Sequence, residues 1–106
     1  MSRRCLDVPY VCVLEIELHF PENASLKGKR RELSSLKAQL QRRFGVAVAE
    51  TGHHELWQRA GLTAALVGRD AGLLKERAAE VERYLWGMFP DGATVESQLI
   101  STEDLH

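Results

Sequence analysis

An α+β fold of the split βαββαβ kind, a four-stranded antiparallel sheet with two helices on one face, follows from three observations. Residues 10–20, YVCVLEIELHF, alternate from Cys12 on with a period of two, Cys12, Leu14, Ile16, Leu18 and Phe20 against Glu15, Glu17 and His19. Two later segments repeat apolar residues every three or four positions, and three short apolar runs complete the order. Each helix carries a single apolar stripe, so both must lie on the same side of the sheet to bury it. This is the ferredoxin-like arrangement.

In the first strand Cys12, Leu14, Ile16, Leu18 and Phe20 share one face, and Val11, Val13, Glu15, Glu17 and His19 the other. The turn PENAS ends in Ser25, a helix N-cap residue. Leu26, Leu33, Leu36, Leu40 and Phe44 then form the first stripe, and Gly45 stands where a C-terminal cap belongs. VAVAE (46–50) and LTAALVG (62–68) read as strands joined by TGHHELWQRAG. Asp70 caps a second helix with Leu74, Ala78, Val81 and Leu85 on its inner face, and FPDGA breaks it. TVESQLI (94–100) is the fourth strand and STEDLH trails off. The right-handed crossover rule places the first and third strands in the centre. One domain, residues 10–101, is expected between a disordered tail (1–9) and a C-terminal tail (102–106).

The 106 residues are 44% hydrophobic and 27% charged, with net charge −1. That argues against a bulk nucleic-acid binder, whose pI typically exceeds ~9. The average hides an asymmetry. Between Ser25 and Gly45 seven Lys and Arg face Glu32 alone, a local +6 that leaves −7 for the remainder. Such a cationic segment suits a defined anionic partner. Cys5 and Cys12 lack metal spacing and read as reduced thiols. Glu15 and Glu17 interrupt any apolar core of a signal peptide, and no run approaches the ~18 apolar residues of a membrane helix. A soluble cytoplasmic protein without membrane contact is expected.

Several chemistries are disfavoured. An RNA-recognition-motif domain stacks bases on aromatics of the open sheet face, where this chain shows Val11, Val13, Glu15 and Glu17 and no aromatic on the third strand. Neither GxGxxG nor GxxxxGK[ST] occurs, and the Gly-Arg loop of acylphosphatases is missing. Glu15, Glu17, His19, Glu50, His53, His54 and Glu55 have no ligand spacing typical of zinc sites. No catalytic residue, metal or cofactor is expected, and the protein reads as a non-enzyme.

The strongest candidate site is SLKGKRR. It sets Lys27, Lys29, Arg30 and Arg31 in the first two turns of a helix, where the partial charge is positive and Asp or Glu would be favoured. Lys27, Arg31 and Arg42 fall on one outer flank with small Ser34, Ser35 and Ala38 between them, and Arg43 adds charge. Lys29 and Arg30 lie nearer the core stripe but, at the helix start, are expected to project past the sheet edge. A phosphate would relieve the misplaced charge; a solvated helix face is the other reading. Trp57 in the polar connection has two readings as well. Large aromatics are usually buried, which favours its folding back over the end of the core. Alternatively it stacks a base beside Arg59. Together these residues point to RNA bound through phosphates. The alternative is a protein-interaction or regulatory module, a homodimer through the open sheet face around Val11 and Val13 or through an edge strand.

Residues 13–67, with the strand LEIELH, the helix start SLKGKRR, then RRFGVAVAE and LWQRA, resemble the YlxP-like family of small bacterial proteins of unknown function. The resemblance covers about half the chain and implies a ferredoxin-like fold and no established activity. Its members are often encoded beside ribosome maturation and translation initiation factors, which implies ribosomal RNA as a partner. The loop AETGHHELWQRA departs from the family's pattern, which has an acidic residue nearer Gly52 or His53.

Overall fold

The computed structural model describes residues 9–21 and 24–105. Its elements are β1 (Tyr10–His19), α1 (Leu26–Phe44), β2 (Ala47–Gly52), β3 (Arg59–Gly68), α2 (Ala71–Met88) and β4 (Ala93–Ser101). The sheet order is β2-β3-β1-β4, with every neighbouring pair antiparallel. This is the expected α+β βαββαβ arrangement, with the first and third strands central. Most of the expected disordered tail, residues 1–8, lies outside the described residues.

The predicted faces are the observed ones. Cys12, Leu14, Ile16 and Leu18 from β1 meet Leu33, Leu36 and Leu40 from α1 and Leu74, Ala78, Val81 and Leu85 from α2 in one core. Both helices start as the sequence requires. Ser25 Oγ accepts from Gly28 N at 3.0 Å, and Asp70 Oδ1 from Leu73 N at 3.1 Å. Gly45 ends α1 in the left-handed region at φ 68°, where glycine meets no steric penalty.

The differences concentrate at the β2–β3 connection. β2 runs on to Gly52, and β3 begins at Arg59 instead of Leu62. Gly52 pairs with Gly61 across a register shift, so close that a Cβ on Gly61 would lie 3.2 Å from Gly52 Cα. Glycines disfavour strands in general, which hid this extension. The connection thus shrinks to residues 53–58. At the other end, residues 102–105 form a 3-10 turn whose first residue, Thr102, donates its N–H to Pro9 O at 3.0 Å. Among the described residues no helix is long and apolar enough to cross a membrane.

Candidate functional site

The stripe of α1 skips one turn between Leu26 and Leu33, and Lys29 fills it. Its side chain is only 1% exposed. Nζ donates to the carbonyl oxygens of His53 (2.6 Å), Arg59 (3.0 Å) and His54 (3.5 Å). An ammonium has three protons, so its donor capacity is used in full. Glu50 Oε2 lies 3.4 Å from Nζ. That oxygen is buried without a hydrogen-bond partner, so it balances the charge and takes none of the three protons. Lys29 does not project past the sheet edge. Its cation belongs to the interior, where it ties the first turns of α1 to the β2–β3 connection.

The same connection is held from β1. Glu17 Oε2 lies 2.9 Å from His53 Nε2, and Glu17 Oε1 lies 4.0 Å from Arg59 Nη1. Phe20 N–H donates to Gln58 O at 2.7 Å, and Gln58 Nε2 to Pro21 O at 3.3 Å. His53 adopts φ 56°, a left-handed conformation uncommon outside glycine, at the point where the chain leaves β2. A loop restrained on two sides then turns Leu56 and Trp57 outward, 47% and 54% exposed.

Trp57 therefore does not cover the end of the core. Phe20 and Phe89 are already there, their rings edge to face with centroids 5.3 Å apart. Instead Trp57 lines an open cleft of about 470 Å³ with His19, Glu55, Leu56, Gln58 and Arg59.

Lys27, Arg30 and Arg31 are exposed on the α1 turns that Lys29 anchors. They share one end of the molecule with Trp57 and Arg59. Arg42 and Arg43 do not. They lie in the last turn of α1, and eleven residues at 1.5 Å each set Arg42 about 17 Å beyond Arg31. The Arg43 guanidinium sits 4.7 Å over the Tyr84 ring of α2. The cationic flank read from the helical spacing thus divides into two ends. Among the described residues no three His, Cys, Asp or Glu side chains are placed to hold a metal ion.

The buried lysine had a signal in the sequence, the seven-residue gap in an otherwise regular stripe. Nothing comparable announced its acceptors. They are backbone carbonyls brought together by the turn after β2.

The family model for a protein of unknown function, DUF503, matches residues 11–98. The chain belongs to DUF503. No curated protein matches it. Among solved structures, a de novo designed protein, Foldit4, is similar over 86% of this DUF503 chain and 94% of its own, with a TM-score of 0.54 and 12% identity. At that identity the likeness concerns the fold alone.

Proposed function

We propose that this DUF503 member is a non-enzymatic, cytoplasmic RNA-binding module that contacts ribosomal RNA or a ribosomal precursor. The contact is the end of the molecule built from the start of α1 and the loop 53–58. Lys27, Arg30, Arg31 and Arg59 meet phosphates, and Trp57 stacks on an unpaired base. The observation that carries this reading is the outward, restrained Trp57 on a loop that Lys29 fastens to the cationic turns. A preformed stacking surface lowers the ordering cost of binding, and single-stranded sites combine such platforms with cations. The YlxP-like resemblance supports the same partner through the ribosomal neighbours of that family. The open sheet face is a poor rival surface for RNA, since Glu15, Glu17 and Glu96 are exposed on it.

The test is binding of the purified protein to ribosomal RNA across a salt series, beside a Lys27→Glu/Arg30→Glu/Arg31→Glu variant. Lys29 stays intact, because changing it tests folding rather than binding. Saturable binding should weaken with salt, with a log–log slope of about −0.7 per phosphate on single strands. It should disappear in the folded variant. Salt-independent binding, or equal binding by both proteins, would overturn the reading.

A further inference from the structure

β4 closes one side of the sheet, and no described strand lies beyond it. Its hydrogen-bonding parity can be read from the two ends of its ladder with β1. His19 N–H donates to Gly92 O at 2.8 Å, and Thr102 N–H donates to Pro9 O at 3.0 Å. Between them the register runs without a shift, from Leu18 opposite Ala93 to Tyr10 opposite Ser101. Antiparallel ladders alternate, so Thr94, Glu96, Gln98 and Ile100 direct their backbone groups at β1. Ala93, Val95, Ser97, Leu99 and Ser101 direct theirs at the free edge. That edge is nine residues long and carries neither Pro nor Lys, two of the residues that commonly keep sheet edges from pairing.

We infer that a second copy of this chain pairs with β4 edge to edge, antiparallel, about a two-fold axis at Ser97. Only residues with outward backbone groups can form the hydrogen-bonded pairs, which limits the axis to a few positions. At Ser97 the side chains agree as well. Val95 meets Leu99 of the second copy on the helix side, twice by symmetry. Both are apolar residues that the monomer only partly buries against its core. On the open side Glu96 meets Gln98, an acid beside an amide donor. Moving the axis to Glu96 would set two glutamates face to face, and moving it to Gln98 would set Glu96 against Ile100. Like charges directly opposite destabilise, and paired apolar residues stabilise.

α2 supplies an independent match. It packs over β4, β1 and β3. One flank faces α1, through Tyr84 bonded to Gln39 and Arg77 bonded to Phe44 O. The opposite flank, on the β4 side, carries Gly72, Lys75, Ala79, Glu82 and Trp86, spaced 3, 4, 3 and 4. An antiparallel copy of this row brings Trp86 to Gly72, Lys75 to Glu82, and Ala79 to itself. Trp86 is 46% exposed in the single chain, a large apolar area beside an open edge.

Sedimentation equilibrium of the full chain, with the variants Ser97→Pro and Gln98→Glu, tests this. Wild type should be a dimer at high concentration. Ser97→Pro removes an outward N–H and no bond to β1, so it should give a folded monomer by circular dichroism. Gln98→Glu sets Glu against Glu twice and should weaken the dimer about tenfold. Adding Glu96→Lys to it should restore the dimer, because only this register places the two positions opposite each other. A monomeric wild type, a dimer indifferent to Ser97→Pro, or a double variant no tighter than Gln98→Glu would each overturn the inference.

Discussion

The Lys29 ammonium lies 2.6 Å from the carbonyl oxygen of His53, twenty-four residues further along the chain. Through that bond a side chain of α1 sets the path of the β2–β3 connection. Replacing Lys29 by Met should leave three carbonyls and the buried Oε2 of Glu50 without their partner. Removing one side of a buried charged arrangement costs about 3 kcal/mol. Urea unfolding of Lys29→Met should show a loss of that size. A variant as stable as wild type would mean that the ammonium and its acceptors are no better matched than their solvated forms.

The two ends of α1 should behave differently toward RNA. With an oligonucleotide of about three nucleotides, about 10 Å when stacked and so too short to reach from Arg31 to Arg42, Arg42→Glu/Arg43→Glu should change the dissociation constant by less than about twofold. Phosphate contacts act locally, and these cations lie about 17 Å from Arg31. The same double variant should lose up to about 1 kcal/mol of stability with the Arg43–Tyr84 contact. Equal losses of binding from both ends would place the RNA along the whole helix.

Trp57→Ala separates binding from folding. The ring is more than half exposed, and the core end is closed by Phe20 and Phe89, so stability should change by no more than about 0.5 kcal/mol. Loss of a stacked base should weaken binding by about 1–3 kcal/mol. Thermal melts and titrations of one preparation give both numbers. A large drop in melting temperature would return Trp57 to a structural role.

Cys12 is 2% exposed, and burial pushes its thiol up, with the Glu82 carboxylate adding to the shift. In alkaline solution the unfolded chain releases this proton first while the folded chain keeps it. The unfolded state then binds fewer protons, so this thiol's contribution to stability falls as pH rises above the ordinary thiol value. In a Cys5→Ser background, a thiol reagent at neutral pH should label Cys12 only at the rate of unfolding. Labelling within the mixing time of folded protein would contradict the burial.

The elements were legible because their signals are local. The alternation from Cys12 to Phe20 announces a strand with one buried side, and the stripes of α1 and α2 and the caps Ser25, Gly45 and Asp70 announce the helices. Two such helices have one face of a sheet to share, so composition and periodicity reach the topology. What stayed hidden depends on residues distant in sequence. Gly52 and Gly61 extend a ladder that neither favours by itself. Trp57 points outward because Phe20 and Phe89 already close the core, a competition no local pattern displays.

Lys29 marks the boundary most clearly. The sequence by itself determined that a cation would stand at a position of the stripe where a leucine was due. Whether that cation reached water or turned inward depended on acceptors waiting inside, and those are the carbonyls of His53, His54 and Arg59. Carbonyl groups are the same in every residue, so a sequence cannot advertise them. Only the folded backbone, by bringing three of them within reach of one ammonium, decided that this charge would be buried.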